Sequence, residues 1–365
     1  MALNRINGRE ELYVGGVFAL RRASLIREHK ITHILSVIKY SLEEIKDMGD
    51  VYQGIQHMSV DVDDMEDEDI LAHLPKMVRF IERGLYGTID GGSSSGGDAD
   101  EITPATESSS APGAVLVHCA MGKSRSVSAV VAYLLWKHPH RFGRADPTTS
   151  AYDAVMKAVT WVRQTRPIAE PNEGFMKQLE LWWEMGSPAL SDDAVEKDVK
   201  YQRWLYKREV DDAARVGRAP DWIRFEDEED NSEAQGGREL RCKKCRRVLV
   251  NEKFIVPHQG RGNKERADCG HVFVEALSWM KSTLEAGELD GRLVCPNEKC
   301  GASIGRYAWQ GFKCSCGDWI APAFSLQKSK VDEVVTKPKG VGTGLGAMAA
   351  MGIRMPPSAG RQGNL

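Results

Sequence analysis

At 365 residues and 42% hydrophobic content, the chain carries enough apolar material for two folded units, each with its own core. A formal net charge of −3 excludes a polyelectrolyte that grips nucleic acid by overall charge alone. The N-terminus lacks an apolar core and no stretch approaches the ~18 apolar residues of a membrane span, so neither a secretory leader nor a membrane contact is expected.

Residues 1–83 alternate strand and helix patterns, which predicts an α/β sheet with helices on its faces. Within them, 55–60 reads as a strand, 61–69 as an acidic loop and 70–85 as a helix. Residues 84–113 are rich in Gly, Ser and Asp with little to bury, and are expected to be a disordered insertion. Residues 114–117 form the short apolar run of a buried strand, 127–136 suit a core helix, and 151–164 and 171–183 are amphipathic candidates. Ser191 is placed to cap a charged helix that reaches about Val216 and bridges the domains, with Gly217 and Pro220 ending it. An acidic run at 226–230 continues as linker to a cysteine-rich module at 238–327, and residues 328–365 are expected to be a disordered tail.

The chemistry concentrates in His118-Cys-Ala-Met-Gly-Lys-Ser-Arg-Ser126, between the buried strand and the core helix. Unpaired N–H groups and the positive end of the helix dipole converge at such a junction and make it an anion site. The amides of Ala120, Met121, Gly122, Lys123 and Ser124 can cradle phosphate oxygens as a nest, and Gly122 permits the tight path. Arg125 supplies a planar fork for two phosphoryl oxygens. Its charge, with the dipole, favours the thiolate of Cys119, the nucleophile. His118 is expected to orient the loop by hydrogen bonding, and Ser126 to donate to the sulfur when it leaves. This is phosphoryl transfer through a thiol, with no catalytic metal. One carboxylic acid can protonate the leaving oxygen and later activate water. The acidic loop offers several, and spacing alone does not choose among them.

Apart from Cys119, every cysteine lies between positions 242 and 316: Cys242, Cys245, Cys269, Cys295, Cys300, Cys314 and Cys316. With His258 they make eight ligands, enough for two tetrahedral structural zinc ions. We pair Cys242, Cys245, His258 and Cys269 as one site and Cys295, Cys300, Cys314 and Cys316 as the other, with an interleaved pairing as the alternative. His271 competes with His258. Metal binding is favoured over disulfides in a chain without a leader. Six basic residues in 238–247 are either a solvated face or a phosphate-contacting patch. Trp309, Phe312, Trp319 and Phe324 are expected to form a small core.

The loop matches the H-C-x5-R-S signature, and the chain resembles the dual-specificity protein tyrosine phosphatases. Glu11-Leu-Tyr-Val-Gly-Gly16, Ile31-Thr-His-Ile-Leu-Ser-Val37 and Pro171-Asn-Glu-Gly-Phe175 are further matches, covering residues 1 to about 186. The resemblance implies a phosphatase-like α/β domain acting on phosphoproteins at tyrosine and at serine or threonine. Counting back from Phe80-Ile81, it places the general acid on Asp64, with Asp63 in reserve, and gives Asn172 the role of tying the loop in place. The insertion accounts for the unusually long separation of Asp64 from Cys119. With its cysteine-rich module the whole chain resembles the zinc-bearing Yvh-type phosphatases, the family of dual-specificity phosphatase twelve, through Arg241-Cys-Lys-Lys-Cys-Arg-Arg247, Cys314-Ser-Cys-Gly-Asp-Trp319 and Pro322-Ala-Phe324. That resemblance implies a small, mostly-β zinc domain, a part in large (60S) ribosomal subunit assembly through pre-60S particles, and a place in both cytoplasm and nucleus. Two alternatives stand beside it. One is an assembly role that does not need catalysis; the other is phosphoinositide hydrolysis, which the extra loop cation Lys123 suggests.

Overall fold

The computed structural model describes residues 3–42, 50–87, 113–228, 237–258 and 269–336. Most of the expected insertion, at 88–112, and the tail beyond 336 lie outside the described residues. The chain forms two compact units that divide between Gln202 and Arg203.

The first unit is built on the strands β1 Leu3–Arg5, β2 Leu12–Gly16, β3 Ile31–Ser36, β4 Gln56–Ser59 and β5 Ala114–Cys119. They form one sheet in the order β1-β2-β5-β3-β4, antiparallel only at β1. All six residues of β5 are buried, as befits a central parallel strand covered on both faces. The helices are α1 Ala23–Glu28, α2 Leu74–Tyr86, α3 Arg125–Lys137, α4 Ala151–Arg163 and α5 Glu173–Glu184. Residues 125–135 of α3 are all buried, and Ser126, Ser128, Ala129 and Ala132 let its neighbours approach from every side. Trp182 of α5 is fully buried there, its indole donating to the Ala132 carbonyl at 3.2 Å.

Several expected boundaries move. Gly84 belongs to α2 and not to the insertion; a Cβ there would meet the Val115 side chain at 2.6 Å, so its absence lets α2 lie close to the sheet. The first unit also runs past 186. Arg79 pairs with Asp192, the Tyr201 hydroxyl donates to Asp69 at 2.7 Å, and Val195 is fully buried. Ser191 does not cap the long helix: its hydroxyl donates to Asp193 within a turn, and α6 starts at Val199 and ends at Val216.

Residues 203–228 belong to the second unit rather than to a linker. Val210 and Phe225 join a core with Leu240, Leu293, Trp309 and Phe324. The acidic run is partly structural, since Glu226 pairs with Arg203 and Arg224, and Asp227 accepts from the Ser278 amide and hydroxyl at 2.7 and 2.6 Å. The strands are β6 Arg238–Cys242, β7 Val248–Asn251, β8 Ile255–Val256, β9 His271–Val274, β10 Asp290–Val294, β11 Ser303–Ala308, β12 Phe312–Lys313, β13 Trp319–Ile320, β14 Ala323–Gln327 and β15 Val331–Val335. They form a five-stranded sheet β10-β11-β14-β9-β8, a three-stranded sheet β15-β6-β7 and a β12-β13 hairpin. Residues 331–335, expected to be tail, thus close the edge of β6. Trp309 and Phe324 meet edge to face in the core at 5.2 Å, whereas Trp319 is 65% exposed and not part of it.

Replacing Trp182 by Ala is expected to cost the first unit about 3–5 kcal/mol. Denaturant unfolding followed separately in the two units should show an earlier midpoint for the first and none for the second.

Candidate active site and metal centres

The turn from β5 into α3 is drawn around the Cys119 sulfur. Sγ accepts from the Gly122 amide at 3.2 Å and lies 3.3 Å from the Ser126 hydroxyl, while the residue as a whole is 1% exposed. Gly122 takes a φ of +69°, and a Cβ there would meet the Gly15 carbonyl at 2.3 Å. Amides turned inward force carbonyls outward, and four successive ones have partners. Ala120 O accepts from Val17 N at 3.1 Å, Met121 O from Arg166 Nη2 at 2.9 Å, Gly122 O from Arg166 Nε at 2.5 Å, and Lys123 O from Glu170 N at 2.8 Å.

Arg166 was not legible in the sequence. It is 2% exposed, its third contact is the Asn4 side-chain oxygen at 2.8 Å, and no carboxylate pairs with it among the described residues. Burial pulls its pKa below the usual arginine range, and the nearby Cys119 opposes that shift. No spacing rule links it to a loop more than forty residues earlier.

Arg125 is buried, donates one Nη1 bond to the Val62 carbonyl at 2.8 Å, and keeps a buried Nε without a hydrogen-bond acceptor. That N–H is a donor suited to an anion oxygen. Asp64 Oδ2 lies 3.7 Å from it. Of the acidic loop, Asp64 is the residue brought to the phosphate loop: its Oδ1 accepts from the Ser124 hydroxyl at 2.6 Å and from the Asn172 amide nitrogen at 3.0 Å. Asn172 also donates to Met65 O and accepts from Phe175 N at 2.8 Å, capping α5. Ser124, turned toward Asp64, gives α3 no side-chain cap, so the first amides of the helix face the loop uncapped.

His118 does not reach the reacting position. Its Nε2 meets the Ser36 hydroxyl at 2.6 Å, which also meets His57 Nε2 at 2.8 Å. Burial pushes His118 down to about 4, so the imidazole under the loop is neutral. Lys123 turns away to Glu170 at 2.6 Å.

In the second unit the ligand pairing is the interleaved one, which corrects the preferred pairing. Cys242, Cys245, Cys295 and Cys300 form one group and His258, Cys269, Cys314 and Cys316 the other, the ligand atoms of each within 4.8 Å of one another. The cause is topological. Cys242 and Cys245 stand at the β6–β7 turn, Cys295 and Cys300 at the β10–β11 turn, His258 and Cys269 between β8 and β9, and Cys314 and Cys316 at the β12–β13 turn. Facing hairpins, not adjacent ones, share a site. No cysteine is disulfide-bonded. Thiolates about 2.3 Å from a tetrahedral zinc stand about 3.8 Å apart; the 3.8 Å between Cys242 and Cys300 and 3.5 Å between Cys245 and Cys295 fit that. Burial pushes Cys295 up to about 12 while a hydrogen bond from the Arg247 backbone pulls Cys245 down to about 6, so the thiols do not all ionise together unless a cation sits among them. His271 is not a ligand: its Nδ1 meets the Ser325 hydroxyl at 2.8 Å.

Three of the six cations in the run at 238–247 are neutralised by carboxylates and two more are engaged by backbone carbonyls. Arg238 pairs with Glu333, Arg241 with Glu239 and Arg246 with Asp332, while Lys244 and Arg247 donate to the Cys300 and Pro296 carbonyls.

Comparison with known proteins places this geometry. The family profile "Dual specificity phosphatase, catalytic domain" matches residues 105–185. The chain is 30% identical to the tyrosine-protein phosphatase YVH1 of Saccharomyces cerevisiae over 358 residues, covering 88% of this chain and 89% of that one. It is 32% identical over 351 residues to the dual specificity protein phosphatase 12 of Rattus norvegicus, covering 90% and 88%. Among solved structures, the Yvh1 phosphatase domain from Chaetomium thermophilum is 56% identical, covering 52% of this chain and all of that one, with a TM-score of 0.44.

Two outcomes follow from the geometry. Elemental analysis should find that Cys245→Ser with Cys295→Ser loses one metal equivalent, and Cys295→Ser with Cys314→Ser loses two; the reverse pattern would restore the sequential pairing. Because the unfolded chain takes up the His118 proton near its ordinary 6.5 and the folded chain only at about 4, that stability is whole above pH 6.5 and is lost as pH falls to about 4. Denaturant midpoints of the first unit should fall over that window, less steeply in His118→Asn.

Proposed function

The chain belongs to the Yvh-type dual-specificity phosphatases, the family of dual specificity protein phosphatase 12, and we propose that it hydrolyses phosphotyrosine and phosphoserine or phosphothreonine through a cysteinyl-phosphate. The observation that carries this reading is the buried, acceptor-free Arg125 Nε beside a sulfur that already accepts from Gly122 N and faces Ser126 Oγ.

In the first step the Cys119 thiolate attacks phosphorus, the P–O bond to the substrate breaks, and protonated Asp64 gives its proton to the leaving oxygen. Arg125, the amides of residues 120–124 and the start of α3 hold the phosphoryl oxygens. In the second step water attacks the same phosphorus, the Asp64 carboxylate takes its proton, and the S–P bond breaks with Ser126 donating to the departing sulfur. Arg166, Asn172 and His118 position these groups and do not react. Protein substrates are favoured over phosphoinositides because Lys123, the added loop cation, is engaged by Glu170.

We assign a structural zinc ion to each of the two Cys/His groups, where it would tie facing hairpins together and supply no catalytic step. The assembly role belongs to this second unit: the zinc-bearing module docks on pre-60S particles, in cytoplasm and nucleus, while phosphatase activity regulates or accompanies that docking. No described helix is long and apolar enough to cross a membrane.

On phosphopeptides, Cys119→Ser should abolish turnover and Asp64→Asn should lower kcat by about 10²–10⁴ with KM little changed. Unchanged kcat in Asp64→Asn would move the acid elsewhere in the loop. In gradient sedimentation with large-subunit precursors, full length and Cys119→Ser should co-migrate and a chain ending at Gln202 should not. Loss of co-migration in Cys119→Ser would make the role catalysis-dependent, and failure of all three would remove the ribosomal reading.

A further inference from the structure

We propose that the face of the second unit formed by Arg292, Arg306, Lys313 and Trp319 binds single-stranded RNA. Arg292 and Arg306 are direct cross-strand partners on β10 and β11, both exposed, so their side chains leave the same face of the sheet. Like charges set opposite each other destabilise a β pair. Here no ion pair relieves them among the described residues, although Asp290 stands two positions along the same face of β10. The contrast with the 238–247 run is direct: there Arg238, Arg241 and Arg246 each pair with a carboxylate, and Arg292 and Arg306 do not among the described residues.

The β12–β13 hairpin lies on this face. Phe312 and its cross-strand partner Ile320 turn inward and pack with Cys269, Phe273 and Cys314 beside the second metal group. Arg306 is held over the Phe312 ring at 3.7 Å, which presents its guanidinium at a fixed place. Lys313 and Trp319, the other cross-strand pair, therefore face outward, and the indole is 65% exposed. An exposed indole paired across the hairpin with Lys313, on a turn whose inner Phe312 carries Arg306, matches a chain that offers both phosphates and a free aromatic face. That description fits a single strand: a duplex buries the faces of its bases, and an acidic peptide has no use for the indole.

This inference goes beyond the assembly role and falls separately from it, since RNA can bind this face whether or not the chain sediments with ribosomal precursors. The test uses the full chain and a fluorescein-labelled oligouridine of about 15 nucleotides, with anisotropy read over a range of salt. Arg292→Glu with Arg306→Glu should weaken binding at least tenfold and reduce the salt slope by about 1.4, two phosphate contacts of a single strand. Trp319→Ala should weaken it roughly five- to hundredfold with the slope unchanged. Both variants should keep wild-type metal content and phosphopeptide turnover, which shows that they fold. Absence of wild-type binding, wild-type affinity in both variants, or displacement of the RNA by polyglutamate at equal charge would overturn the proposal, the last by making the face a site for acidic peptides.

Discussion

The catalytic half of this protein depends on one backbone constraint: the chain must turn from β5 into α3 with its amides facing Cys119. A peptide unit cannot aim its N–H inward without aiming a C=O outward, and buried carbonyls need donors. The surroundings of the loop are organised to supply them. Val17, Arg166 and Glu170 come from three separate segments, and each serves a loop carbonyl. Arg166 serves two, and its buried charge adds to that of Arg125 with no carboxylate paired to it among the described residues. The anion site is therefore as much a product of what lies behind the loop as of what lines it.

The acid is coupled to the same frame. Ser124 Oγ donates to Asp64 and accepts from the Asn172 amide at 3.2 Å, while Asn172 caps α5 and donates to Asp64 with the same side chain. A residue at the start of α3 would ordinarily use such a hydroxyl to cap its own helix. Giving it to Asp64 leaves the helix amides for the phosphate and fixes the carboxylate beside them. The Asp64 loop, the phosphate loop and the α5 cap are thus tied into one hydrogen-bonded unit.

How much of this the sequence carried depends on whether a feature is local. The strand, turn and helix around Cys119 were legible because apolar runs and a seven-residue loop have a short-range grammar, whereas Asn172 came only through the family resemblance. Asp64 needed the family resemblance too, since the seven carboxylates of 61–69 look alike until a fold brings one of them to Ser124. Arg166, Ser36 and the Lys123–Glu170 pair were not legible: each acts across dozens of residues, and no periodicity encodes such a meeting. Boundaries failed for a related reason. The residues at 187–202 and 331–335 are polar enough to read as linker and tail, yet a few contacts such as Tyr201 to Asp69 and Val331 against β6 are enough to order them.

The same distinction explains the metal ligands. Their identity was visible in the spacing, because a knuckle is local, but their partnership was not, because it is decided by which hairpins face each other. Sequential pairing would join neighbouring hairpins and close only short loops. Interleaved pairing makes residues 242–300 and 258–316 into two overlapping closed loops, so the first group joins the β6–β7 hairpin to β10–β11 and the second joins β8–β9 to β12–β13. A small unit made of short strands gains from cross-links of that kind, which add to the core that Leu240 and Val250 of one sheet share with Leu293 and Phe324 of the other. The first group thus ties the three-stranded sheet to the five-stranded one, the second ties the β12–β13 hairpin to the five-stranded sheet, and the two are coupled through the sheet they share.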